Sequence, residues 1–201
     1  MSESKEKNSP LFLADPWIAA FLAWLFPGLG HFYQGRKQKA VLYSVCVMTL
    51  FLIGIYLGSS STFGPARNVY ISLQKGSVRY YYLAQMWVGL PTVPAVVQFI
   101  RDPTGTQTDG RFMAPPMAVT SYNHNLITAN SPTLDNIKKR LNRDFELGTL
   151  FTMVAGLLNL FIIFDAYWGP VDEEEIEAYR RRVQEEKARR KLERAERAER
   201  A

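Results

Sequence analysis

Ala40 to Gly58 reads AVLYSVCVMTLFLIGIYLG, nineteen consecutive residues rich in Val, Leu, Phe and Ile without one charge. At about 1.5 Å of rise per helical residue such a run is about 28 Å long, close to the roughly 30 Å hydrocarbon core of a bilayer. A membrane-spanning helix is expected here. Ser59-Ser60-Ser61-Thr62-Phe63-Gly64-Pro65 closes it, because Gly and Pro continue a helix only at a cost and serine competes for backbone hydrogen bonds.

Outward from this run, charge is also absent from Pro16 to Gly35, from Tyr80 to Ile100 and from Leu147 to Phe164. Averages over the 201 residues, 47% hydrophobic and 21% charged, hide the pattern because twenty charges crowd into Pro170–Ala201. Ten of those are basic and ten acidic, so the net charge of +5 lies wholly in the rest of the chain, spread over the loops between apolar runs. That distribution is no nucleic-acid stripe, and it suits a membrane surface. The single Cys46 lies inside an apolar run, which rules out a disulfide framework and a Cys/His metal cluster.

The expected fold class is all-α: an integral membrane helical bundle of about four spans, with a basic interfacial amphipathic helix and a long charged C-terminal helix. Residues 1–15 form a polar N-terminal tail with no small-residue cleavage site near it, so a cleaved signal peptide is not expected. A transmembrane hairpin occupies 16–58; its first leg is short and carries Pro27-Gly28 near its end. After a loop at 59–79 comes a third membrane segment at 80–101, broken by Gly89, Pro91 and Pro94. Lipid-exposed broken helix is forbidden, so neighbours must cover this segment or it must re-enter. Crossing is the favoured expectation.

Residues 102–130 read as an irregular loop rich in Pro, Gly, Thr and Asn. Ser131-Pro132 then reads as the start of an amphipathic helix over 131–146, with Leu134, Ile137, Leu141 and Phe145 opposite Lys138, Lys139, Arg140 and Arg143. Such a helix suits a surface of anionic headgroups. The fourth span covers 147–168, and 169–201 is a charged helical tail with Glu–Arg pairs at i,i+4 such as Glu185/Arg189, expected to stand as a solvated single helix.

At the end of the first leg stands Pro27-Gly28-Leu29-Gly30-His31-Phe32-Tyr33-Gln34-Gly35-Arg36. Its small residues let helices approach closely, Phe32 and Tyr33 suit the headgroup level, and Gly35 can make a turn before Arg36, Lys37 and Lys39. Over 16–58 the chain resembles the TM-two-domain family, a two-pass Gly-rich transmembrane hairpin. The resemblance implies a hairpin turn motif of Pro27, Gly28, Gly30, His31, Phe32, Tyr33 and Gly35. The remainder looks like uncharacterised bacterial multi-pass membrane proteins, which implies a bacterial inner (cytoplasmic) membrane address and no known activity.

In the fourth span Gly148, Thr152 and Gly156 repeat every four residues, with Asn159 three further on. These four are expected to pack into the bundle, leaving Phe151, Leu158 and Ile162 for lipid, since hydrocarbon is hostile to an unpaired amide. Asn159 is expected to bond another span through a carbonyl freed by Pro91 or Pro94. His31 with Asp165 and Thr149 is the one conceivable catalytic or metal constellation, and an interfacial hydrogen bond explains His31 without chemistry. His124 lies in an Asn-rich loop with no carboxylate near it in sequence. The Glu185-Glu186 to Arg190 stretch echoes an intramembrane protease motif, but it falls in the charged tail. Phosphate-loop, zinc-protease and nucleophile-elbow motifs are absent.

No catalytic, cofactor or metal residue is therefore assigned. The expected role is structural or interactive, with the lipid bilayer, anionic headgroups held by Lys138, Lys139, Arg140 and Arg143, and a protein partner or second copy as partners. The alternative is a channel or transporter subunit with a polar site near Asn159 and the Pro91/Pro94 break, although the sequence displays no inverted counterpart of that break.

Overall fold

The computed structural model describes residues 15–73, 78–106, 111–120 and 123–168, together with Glu185 and Arg189. The expectations for the N-terminal tail up to residue 14 and for the helix after residue 168 fall outside the described residues, those two positions apart. The chain divides into two compact units, Met1–Tyr167 and Trp168–Ala201, and the description below concerns the first.

The described residues are helical, without a strand. In order they form α1 (Pro16–Leu25), α2 (Leu29–Tyr33), α3 (Lys37–Leu57), α4 (Tyr82–Gln85), α5 (Val93–Arg101), α6 (Leu134–Leu141) and α7 (Arg143–Trp168). Short 3₁₀ turns at Met86–Val88 and Leu90–Thr92 join α4 to α5, and another lies at His124–Leu126.

Two of these, α3 with 21 residues and α7 with 26, are long and apolar enough to cross a membrane. Both are apolar all round, yet each buries only a stripe: Ala40, Val47, Phe51 and Gly54 on α3, and nine residues from Phe145 to Ala166 on α7. A helix of that composition inside a soluble core would be covered on every side. Here Val41, Leu42, Val45 and Leu52 of α3, and Leu150, Leu157, Phe161 and Phe164 of α7, stay exposed. The two helices run antiparallel and meet through small residues. A methyl group at Gly54 would lie 2.6 Å from Thr152 Cγ2 and 2.8 Å from the Gly148 carbonyl, near the end of α3 and the start of α7.

The other two apolar runs do not cross. Helix α1 begins at an Asp15 cap, whose carboxylate accepts from Trp17 N at 2.8 Å, and Trp17 packs edge-on against Tyr167 at the far end of α7. Before Pro27 the chain leaves the helix: Phe26 is extended (φ −148°, ψ 134°), as the proline ring demands of the residue preceding it. Gly28 then takes φ +88°, a left-handed turn that suits glycine. Helix α2 returns along α1, with Gly30 set against the Ala19 carbonyl and Ala23. It delivers His31 to Asp165 and Gln34 to the Ala166 carbonyl. Both ends of this leg therefore lie at the C-terminal end of α7, which corrects the expected crossing of the first leg.

The third segment reverses in the same way from the opposite end. Gln85 of α4 bonds Thr152, near the start of α7. Gly89 then turns the chain at φ +87°, and the Tyr82 hydroxyl donates to the Thr92 carbonyl at 3.1 Å, placing the outgoing arm beside the incoming one. From α5 the chain reaches Thr104, whose carbonyl accepts from Ala118 N, while Met117 N donates to the Pro132 carbonyl beside α6. Crossing was the expectation; the segment doubles back, because Gly89 takes a left-handed φ that ends the incoming helix and Pro91 and Pro94 withhold two backbone donors just beyond it. The expected four spans thus become two spanning-length helices and two hairpins inserted from opposite ends.

Helix α6 is shorter than expected. Thr133, not Ser131, caps it, accepting from Asn136 N at 3.3 Å, and Asn142 ends it with φ +48°. Arg143 and Phe145 consequently belong to α7. The apolar face of α6 is covered by protein: Ile137 and Phe145 pack with Phe63 and Tyr70, flanked by Leu134 and Leu141. The basic face, with Lys138, Lys139, Arg140 and Arg143, is exposed.

Candidate functional site

Asn159 projects from α7 to the place where the two hairpin tips meet, and it is fully buried. Its Nδ2 donates to the Ala23 carbonyl at 3.1 Å and to the Trp87 carbonyl at 2.8 Å. Each acceptor stands four residues before a proline, Pro27 and Pro91 respectively. A proline has no N–H for the carbonyl four residues back. One side-chain amide thus supplies both donors that two prolines withhold. The Pro91 half of this link follows from the sequence; the Pro27 half was missed, although the same four-residue rule applied to Pro27 would have found it.

The other packing residues lie on the same face. Gly148 sits against the Gly54 carbonyl and Asn68, and Gly156 against the Ala84 carbonyl. Thr152 Oγ1 accepts from Gln85 Nε2 at 2.8 Å. The stripe continues through Ile162 and Ala166, both buried. Ile162 was expected to face lipid; it lies three residues beyond Asn159 and shares its face, whereas Leu158 is exposed and Phe151 half-buried.

A second polar cluster ties the loop after α3 to the start of α7. Asn68 Nδ2 donates to the Gly54 carbonyl at 3.0 Å, and the Asn68 carbonyl accepts from Gln85 at 3.2 Å and Arg79 at 2.8 Å. Arg79 also donates to Thr149 Oγ1 and to the Tyr70 hydroxyl, both at 3.0 Å. Its guanidinium lies 4.2 Å from the Tyr70 ring centroid and 5.2 Å from that of Phe145. Burial pushes the Tyr70 phenol above its ordinary range. Nearby Arg67 is buried with its Nη1 on the Ala114 carbonyl at 2.8 Å, and burial lowers its pKa to about 10. None of these loop residues was singled out from the sequence, since they fall in no periodic run.

At the opposite end His31 Nε2 lies 2.7 Å from Asp165 Oδ2, with Arg36 Nη1 3.7 Å from the same oxygen. The Tyr43 ring packs edge-on to the imidazole at 4.9 Å between centroids. His31 is fully buried, not interfacial as expected, because α2 folds it inward. Phe32, Tyr33 and Gly35 of the turn motif are exposed, while Pro27, Gly28 and Gly30 are buried. Thr149 does not join the pair: it lies sixteen residues away along α7, about 24 Å. Groups of three or more metal-ligating side chains do not occur among the described residues.

Two open depressions lie at the N-terminal end of α7, one lined by Tyr56, Ser59, Thr62, Leu141 and Asp144, the other by Lys138, Asn142, Arg143 and Glu146. Asn159 and Pro91 line neither.

Together these features define, over the described residues, an all-helical architecture with two helices of spanning length and two inward hairpins joined by side-chain amides. The chain belongs to DUF6677, a family of unknown function, whose profile matches residues 18–178. No curated protein and no solved structure matches it. The match lends no support to the TM-two-domain resemblance over 16–58 or to a bacterial source.

Proposed function

We propose that the chain is an integral protein of a bacterial inner membrane with a structural or interactive role. The carrying observation is that Asn159, a fully buried amide within the α7 span, has both amide protons engaged by backbone carbonyls. An amide so engaged acts as packing glue. The exposed basic surface made by α6 and the first residue of α7 is then what the chain offers to anionic headgroups or to an acidic partner. Lys138 and Lys139 pair with Glu146 and Asp135, which leaves Arg140 and Arg143 as the headgroup contacts. Purification of the full chain from membranes, with quantification of co-purifying anionic lipid, tests this. Arg140→Glu with Arg143→Glu should lower retained anionic lipid without moving the melting midpoint; unchanged retention refutes the headgroup role.

A second reading, a channel or transporter subunit, is favoured by the paired breaks. The Pro27-Gly28 reversal is the counterpart of the Gly89-Pro91 reversal, and each is followed by a spanning-length helix of opposite direction. Interrupted segments in corresponding positions of two inverted halves are the transporter pattern. Solute flux in proteoliposomes, abolished by Asn159→Leu, would favour this reading over the first.

A further inference from the structure

The hairpin tips bring together more hydrogen-bond acceptors than donors. Gly89 packs on the carbonyls of Trp24 and Leu25, so closely that a methyl group there would lie 2.8 Å from the Leu25 oxygen and overlap that of Trp24. Among the described residues neither carbonyl accepts a backbone hydrogen bond from the turn that follows: Phe26 N bonds the Leu22 carbonyl, residue 27 is proline, and Leu29 N bonds the Phe26 carbonyl. Asn159 has used Nδ2 on Ala23 and Trp87, and its Oδ1 is buried without a partner. Asn159 stands nine residues from Trp168, about 13 Å along the helix and so near the middle of a roughly 30 Å core.

Unsatisfied acceptors at that depth call for something electropositive. The C-terminal ends of α1 and of the Met86–Val88 turn carry the negative ends of their backbone dipoles to this junction from opposite sides. Every donor oxygen in the set is neutral and hard. Divalent ions are held by carboxylates as a rule, whereas unwound carbonyls and half-helix C-terminal ends hold sodium-class ions. The carboxylate of α7 nearest to Asn159 in sequence, Asp165, is already paired with His31.

We infer that the junction of the two hairpin tips is a binding site for a monovalent hard cation of the sodium class, held by the carbonyl oxygens of Trp24 and Leu25 and by Asn159 Oδ1. The ion fastens the two hairpins to each other as Asn159 Nδ2 fastens both to α7. This goes beyond the scaffold reading, whose headgroup test does not involve the junction, so either can fail alone.

The test is thermal unfolding of the full-length protein in detergent, with sodium chloride replaced stepwise by choline chloride at constant ionic strength. A ligand of the native state raises the midpoint with the logarithm of its concentration once above Kd, by about 5–10 °C at a hundredfold excess over Kd for a chain of this size. Asn159→Asp, which puts a carboxylate beside the same carbonyls, should steepen the sodium response. Asn159→Leu should flatten it. Should either variant fail to fold, the wild-type titration decides alone: equal midpoints in sodium and choline overturn the site, and point to water as what satisfies these oxygens. A sodium response that persists unchanged in both variants also overturns it, since the ion would then sit elsewhere.

Discussion

Replacing Asn159 by Leu is the most direct perturbation of the architecture. Leucine keeps the number and branching of the side-chain heavy atoms while its methyl groups are bulkier and apolar, so the change removes the two hydrogen bonds to Ala23 and Trp87 without leaving a cavity. Side-chain hydrogen bonds inside membranes average about 0.6 kcal/mol each and reach about 1.7, which gives about 1–3.5 kcal/mol for the pair. Both acceptors would then be left in a buried site where their own helices cannot satisfy them, so the upper part of that range is expected. The effect should also be directional, because the lost bonds hold the hairpin tips and not the α3–α7 contact at Gly54. A cysteine placed at Trp24 in a background lacking Cys46 reports on this by thiol labelling. Its labelling should rise in the Asn159→Leu variant well below the global melting midpoint. Leu158→Ala, on the exposed face next door, serves as the control and should change stability by less than about 0.5 kcal/mol. If Asn159→Leu proves as harmless as that control, with tip labelling unchanged, the reasoning that links the two hairpins through one amide is refuted.

Other outcomes follow from the same packing. Gly30→Leu should abolish correct folding, because the Ala19 carbonyl and the Ala23 methyl occupy the space a side chain would need; normal yield and monodispersity on size-exclusion chromatography would contradict the α1–α2 contact. Arg79→Met should cost about 2–3 kcal/mol from loss of charge-assisted bonds to Asn68 and Thr149, and Arg79→Lys should rescue little of it, since an ammonium cannot reproduce the forked geometry; chemical denaturation of the three proteins measures this. Arg67 titrates lower folded than unfolded, so its charged form is disfavoured by folding and stability should rise as pH climbs past about 10; Arg67→Met should remove that rise, read from melting midpoints between pH 8 and 11. Truncation after Val183 should leave the midpoint of the remainder unchanged, because the tail sequence offers Glu–Arg pairs at i,i+4 and few apolar positions, and such pairs are individually weak and screened by salt.

Hydropathy made α3 and α7 legible, since an uncharged run of spanning length has few other readings. It could not show that the runs beginning at Pro16 and Tyr80 double back, because a sliding window measures how apolar a segment is and not which way it travels. The signal lay in single residues: Phe26 before Pro27, then a glycine at positive φ, and Gly89 before Pro91. The packing face of α7 was readable from the spacing of Gly148, Thr152, Gly156 and Asn159, and extending that spacing by three residues would have turned Ile162 inward. Arg79 and Asn68 were illegible for a different reason. They lie in the irregular segment between α3 and α4, where side chains are placed by distant partners such as Thr149, and local pattern carries no trace of those.

The contacts that close the first hairpin bind residues far apart in the chain: Asn159 with Ala23, Asp165 with His31, and Ala166 with Gln34, at separations of 136, 134 and 132 residues. At a synthesis rate of about 5–20 residues per second, roughly 7–27 s separate the emergence of α1 and α2 from that of α7. Throughout that interval the Ala23 carbonyl and the His31 ring lack the partners that hold them in the finished protein. The nascent hairpin must wait or borrow another donor, and α7, made long after, is the helix that locks the first two into place. Released chains that end before Asn159 should therefore show α1 and α2 open to protease, and released chains that extend beyond Ala166 should show them closed.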